Sequence, residues 1–250
     1  MRVEVVTLFP QLIQVGIDAG ILGRAVSNGR LSVGLENPRS HAADPHRTVD
    51  DRPFGGGPGM VLKAEPMAQA IRAAAARLPD GAPMIGLSAQ GQPFTQAVAR
   101  RLADSRGFGL VAGRYEGIDQ RVSDALIDEE LSIGDYVLSG GEFPALIVID
   151  AVTRLLPGVL GDETSAAEDS FGNGLLDWPH YTRPEVWDGR RVPDVLLGGN
   201  HGAIRRWRLM QALGRTWQLR PDLLARRRLT ADERRLLEEY CAAAGVEPPR

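Results

Sequence analysis

With 250 residues, 43% of them hydrophobic and 24% charged, the chain suits one large globular domain or a domain with a small appendage. The longest apolar run, Phe143 to Ile149, stops at Asp150, well short of the roughly 18 residues a membrane span needs. A net charge of −3 decides nothing about nucleic acid, and the single cysteine, Cys241, excludes an internal disulfide and any multi-cysteine metal centre.

In chain order, residues 2–8 of MRVEVVTLFP read as a first strand, with no basic-then-apolar leader pattern, which points to a cytoplasmic protein. A helix follows from Pro10 to Ala19 and a strand from Leu31 to Leu35. The stretch from Pro38 to Pro58 is polar and rich in turn formers, and it leads into RPFGGGPGM. Ala64–Leu78 reads as a helix, Pro83–Ser88 as a buried strand and Phe94–Leu102 as a helix. Phe108–Ala112 is another buried strand, and Ile118–Leu126 another helix. Ile133 to Leu138 is rich in β-formers, Gly140–Gly141 make a turn, and Phe143–Leu156 is a helix apolar on nearly every face. Such alternation predicts an α/β fold with a mostly parallel sheet, and a ligand pocket where its strands end.

From Gly158 to Gly174 the chain turns small and acidic, and it reads as a linker. Extended, it would span at most about 55–60 Å, enough to cross to a partner subunit. Beyond it lie a Pro/aromatic segment, Trp178 to Trp187, and helices around Ala203–Leu213, Pro221–Arg227 and Ala231–Ala244. From His201 to Arg235 the chain carries Arg205, Arg206, Arg208, Arg215, Arg220, Arg226, Arg227, Arg228, Arg234 and Arg235, opposed only by Asp222, Asp232 and Glu233. Lys63 is the only lysine in the chain, so part of this excess reflects arginine usage, and charge alone favours a solvated face.

The nucleotide-binding motifs fail on inspection. GGGPG (Gly55 to Gly59) has no following Lys-Ser/Thr, and the glycines at 107, 109 and 113 miss the GxGxxG spacing. GGGPG is therefore either a tight surface loop or a lid that approaches a ligand by its backbone. GRYEG (Gly113 to Gly117) follows a buried strand, and Glu116 reads as a carboxylate in a first helical turn or as a neighbour for a cationic ligand. Asp150 and Arg154 are spaced for an intrahelical pair, although a cation on so apolar a helix also suits an anionic ligand. Asp169, beside Glu168, reads as a solvated charge. The histidines, His41, His46, His180 and His201, have no metal-ligand spacing.

Together RPFGGGPGMV, GRYEGIDQRV, SIGDYVLSGGEFPALIVIDAVTRLLPGVLG, EDSFGNGLLDWPHYTRPEVW and IRRWRLMQALGRTW closely resemble the bacterial tRNA (guanine-N1)-methyltransferase family, the TrmD type. The resemblance runs nearly end to end. It implies a SPOUT-type α/β parallel sheet whose C-terminal part forms a trefoil knot, plus a small all-helical C-terminal domain. The implied domains are residues 1–160, binding S-adenosylmethionine, a flexible linker at 161–174, and a tRNA-binding unit at 175–250. General rules of chain topology would have given an ordinary open sheet. Donor-binding positions carried over are Leu87, Ser88, Gly113, Ile133, Gly134, Asp135, Tyr136, Val137, Leu138, Gly140, Gly141 and Pro144. Glu116 is implied near the donor's methionine end, Asp169 as general base and Arg154 as its catalytic partner. The resemblance further implies methylation of N1 of the guanine at position 37, on the 3′ side of the anticodon, by a homodimer with its active site at the subunit interface. It leaves a role for a divalent ion such as magnesium open, with no protein metal site implied. Gly86 and Ala89 stand where the family commonly has tyrosine and proline, and Gln120 where glutamate is usual.

Overall fold

The computed structural model describes residues 1–161 and 169–247. The chain divides into two compact units, Met1–Glu163 and Thr164–Arg250, each with its own apolar core.

In the first unit the order is β1 (Arg2–Val6), α1 (Pro10–Ile17), α2 (Gly20–Ser27), β2 (Ser32–Glu36), β3 (Asp50–Asp51), β4 (Val61–Leu62) and α3 (Ala64–Ala75). Then come β5 (Met84–Pro93), α4 (Gln96–Ala103), β6 (Gly107–Ala112), α5 (Gln120–Leu126), β7 (Glu129–Ser132) and α6 (Glu142–Thr153). Five strands form one parallel sheet in the order β2-β1-β6-β5-β7. Side chains alternate across such a sheet, so each central strand supplies two cores. Val3 and Val5 of β1 and Phe108 and Leu110 of β6 join α6 in one cluster. Val6 and Val111 join Met67 and Ile71 of α3 in the other. Burial on both faces accounts for the continuous apolar runs in the sequence. Glu4 is the buried exception, held between Arg2 and Arg77.

Several predicted elements differ in detail. The expected strand at Ile133–Leu138 is a loop, and the strand lies upstream as β7. Gly134 takes φ +144°, and Tyr136 N–H turns back to donate to the Gly134 carbonyl (3.0 Å), which ends the extended run. Glu116 is not in a helix. Tyr115 and Gly117 adopt positive φ, and α5 starts only after Asp119 caps it. α6 is not buried all round: Phe143 and Ile147, one turn apart, are exposed. The helix α2 was absent from the sequence reading.

The second unit begins, among the described residues, at Asp169. A short hairpin joins β8 (Val186–Trp187) to β9 (Arg190–Arg191) through Asp188 and Gly189, both at positive φ, the geometry of a tight two-residue turn. α7 (His201–Leu219) starts at Asn200, whose side chain accepts from two backbone N–H groups. α8 (Pro221–Ala225) follows, then α9 (Ala231–Ala244), opened by a Thr230/Glu233 capping box. Leu175, Leu213, Leu224, Leu236 and Leu237 fill the space between them. Gly214 lets α7 approach α9, because a side chain there would overlap the Tyr240 ring.

Candidate functional site

The three strands at one end of the sheet point their carboxyl ends at a cavity of about 440 Å³, the position where ligands bind in open parallel sheets. Its walls are residues 86–90 of β5, the 113–118 loop, α5, and the 130–141 segment leading to Pro144. Eleven of the twelve positions implied for donor binding line it, as does Glu116. Asp135 does not line it.

Close backbone approach explains the glycines. Gly141 donates to the Gly113 carbonyl (3.0 Å), and a Cβ on it would stand 2.7 Å from Ala112 Cα. Gly140 pairs with Arg114, whose side chain passes over it and leaves no room for another. Gly134 is crowded in the same way by the Tyr136 ring, and Tyr136 Oη donates to the Ile133 carbonyl (3.2 Å).

Arg114 and Glu142 were overlooked as site residues in the sequence. Glu142, in the first turn of α6, is fully buried. It accepts from Thr7 Oγ1 (2.8 Å) and Arg114 Nε (2.9 Å). Arg114 also donates to the Ser139 carbonyl (3.0 Å) and stacks over Phe9. The only sequence signal was charge at the head of an otherwise apolar helix, where the helix dipole favours an anion.

Two carboxylates, Glu116 and Glu130, line the cavity itself. Glu116 packs against Gly59, its N–H donating to the Met60 carbonyl (2.9 Å). This places GGGPG beside the site, with Gly55, Gly56, Gly57 and Gly59 all at positive φ. Glu130, also unanticipated, accepts from the Ser88 hydroxyl and from Gln90 Nε2 (3.0 Å).

Arg154 lies in the first unit, capping the C-terminus of α6, with its N–H on the Asp150 carbonyl (3.1 Å). Asp169 lies in the second unit, half-buried, where its carbonyl accepts from Gly172 N–H (2.9 Å). Glu168 falls outside the described residues. In the second unit Arg206, Arg220, Arg227 and Arg235 are paired with carboxylates. Arg205, Arg215, Arg226, Arg228 and Arg234 form no ion pair among the described residues, and Arg208 stacks on Trp178 at 4.9 Å. His41 pairs with Glu36 and His180 with Asp177. Among the described residues no group of three or more His, Cys, Asp or Glu side chains is placed to hold a metal ion. No helix among the described residues is long and apolar enough to cross a membrane.

These features define a parallel α/β protein with a glycine-walled small-molecule cavity and a separate arginine-rich helical unit. Residues 1–226 match the family described as tRNA (Guanine-1)-methyltransferase TrmD. The chain is 60% identical over 246 residues to the tRNA (guanine-N(1)-)-methyltransferase of Alcanivorax borkumensis, covering 96% of this chain and 92% of that protein. The protein of the same name from Coxiella burnetii is 57% identical over 238 residues, 95% of this chain and 96% of its own. That from Pseudomonas fluorescens is 58% identical over 240 residues, 96% of both. The chain belongs to the TrmD family.

Proposed function

We propose that the chain methylates N1 of the guanine at position 37 of tRNA, with S-adenosylmethionine as donor. The observation that carries this reading is the cavity at the sheet's carboxyl end, walled by the family's glycines and bordered by Glu116. Its residues fit that donor. The positions of Gly113, Gly140 and Gly141 bring backbone close enough to hold a flat purine by its edges. Leu87, Ile133, Leu138 and Pro144 offer apolar walls, and Glu116 offers a carboxylate to an ammonium group. When bound, the donor supplies an electrophilic methyl group on a sulfonium.

The protein's own part is proton removal and charge stabilisation. Guanine N1 carries a proton and becomes nucleophilic only on losing it. Asp169 is assigned as the base that takes it, later releasing it to water. Aspartate has a reference pKa near 3.9 and is weak for that task. Arg154 is assigned to the negative charge that spreads to guanine O6, which makes the deprotonation accessible. Holding donor and acceptor in line supplies much of the remaining gain.

The same reading includes a SPOUT-type trefoil knot, a cytoplasmic homodimer with the site at the subunit interface, and a helical unit that grips the anticodon stem. The return of segment 133–141 across the end of β6, paired through Gly140 and Gly141, supports the knot. Phe143, Ile147 and the almost fully exposed Val137 give the first unit an apolar surface suited to a second copy. The unpaired arginines of the second unit suit phosphates, with binding that weakens steeply as salt rises. Tritiated-methyl transfer to tRNA whose guanine beside the anticodon is kept or replaced tests the whole. Equal labelling of both RNAs would instead favour a SPOUT enzyme acting on ribose, transfer to ribosomal RNA and to neither tRNA one acting there, and donor binding without transfer to any RNA an RNA-binding module.

A further inference from the structure

A second cavity, of about 680 Å³, lies within the helical unit between the end of α7, α8 and the start of α9. That volume falls in the range of about 300–1,000 Å³ typical of small-molecule sites. Trp217, Leu224, Leu229 and Leu237 give it apolar and aromatic walls. Its rim is basic. Arg228 and Arg234 are exposed and form no ion pair among the described residues, and the only carboxylate lining the cavity is Glu238. Arg227, on the same wall, is neutralised by Glu233 and donates to the Asn173 carbonyl, yet its Nε is buried without a hydrogen-bond partner.

We propose that this cavity takes one nucleotide: an aromatic base against Trp217 and the leucines, with its phosphate at Arg228 and Arg234. After the Arg227–Glu233 pair is set aside, the rim carries two cations and one anion, which matches the single negative charge of one phosphodiester unit. Glu238 can accept from base N–H groups, so a base bearing an amino or imino hydrogen fits best. The nucleotide could be one extruded from bound RNA or a free one, since the recognition chemistry is shared. The RNA source rests on the reading of this unit as the one that holds tRNA; the cavity assignment itself does not.

The test uses the full chain labelled with 5-fluorotryptophan, the Trp217 signal being assigned by Trp217→Phe. An anticodon stem-loop RNA and guanosine monophosphate are titrated separately. The Trp217 signal moves with one or both probes, and the pattern separates an extruded base from a free nucleotide. Ala225→Phe, placed on the cavity wall at an exposed position, removes the shift and weakens binding of that probe about tenfold. Arg228→Ala with Arg234→Ala does the same without filling the space. A Trp217 signal unmoved by both probes, or a shift that persists in Ala225→Phe, overturns the assignment. Wild-type protein that binds no RNA but shifts with the mononucleotide sinks the RNA-holding reading and leaves the cavity assignment standing.

Discussion

Arg114 and Glu142 meet at 2.9 Å, Arg114 on the cavity-lining loop after β6 and Glu142 at the head of α6. Glu142 is fully buried and Arg114 only half-buried, and the pair ties the loop after β6 to the head of α6. Removing one partner strands the other in a poorly solvated place, whereas replacing both can cost little. Arg114→Ala is expected to destabilise the first unit by about 1–3 kcal/mol, less than for a fully buried pair because Arg114 is only half-buried and Glu142 keeps its bond from Thr7. Arg114→Met with Glu142→Leu should recover most of that in urea unfolding while donor affinity stays low. A double variant with wild-type donor affinity would mean the pair does not shape the cavity.

Gly141→Ala places a methyl group against the Ala112 backbone, which cannot swing aside as a side chain would. Overpacking of this kind costs about 1–3 kcal/mol. The expected outcome is a lowered melting temperature and weakened S-adenosylmethionine binding by calorimetry, with RNA affinity retained. Unchanged donor affinity would separate this turn from the donor.

Asp169→Asn is expected to leave donor binding nearly intact and to abolish methyl transfer. Wild-type turnover in that variant removes Asp169 as the base. Arg154→Ala should lower the single-turnover rate with little change in donor affinity, and an unaltered rate would reduce Arg154 to the capping position it occupies on α6.

Glu233 ties acid stability to the second unit. Burial raises its carboxyl, but the Thr230 backbone N–H and the Arg227 guanidinium outweigh this and hold it below the ordinary 4.5. A depressed folded-state pKa contributes stability that is complete above about pH 4.5 and fades as pH falls through the lower folded value. Glu233→Gln should therefore lose stability at pH 7 and show a flatter decline between pH 5 and 3, followed by circular dichroism of thermal unfolding. An unchanged acid limb would mean the capping box does not govern this helix.

The central strands were legible because a strand buried on both faces has to be apolar throughout, as Phe108–Ala112 is. Their order, with β6 between β1 and β5, follows from pairings among residues far apart in sequence. The helix α2 escaped notice because Gly20 and Gly23 weaken its local signal, yet Gly23 fits where a Cβ would strike the Asp18 carbonyl. Most of the cavity wall came from the family's motifs, which carry its glycines. Arg114 and Glu142 stayed hidden, since their partnership spans 28 residues and exists only once two loops cross. Local physics alone would have left Asp169 a solvated charge, and its assignment as base comes from the resemblance.

The far end of β5 leaves the sheet after Leu87 and rejoins it at Gln92, so that Leu131 of β7 pairs with both. The cavity therefore stands on a base stitched into the sheet at two points, while its sides are loops. Anything entering or leaving has to do so by displacing those sides, because lifting the base would unzip an edge strand. The slow step of a catalytic cycle here, if it is an opening, belongs to the rim.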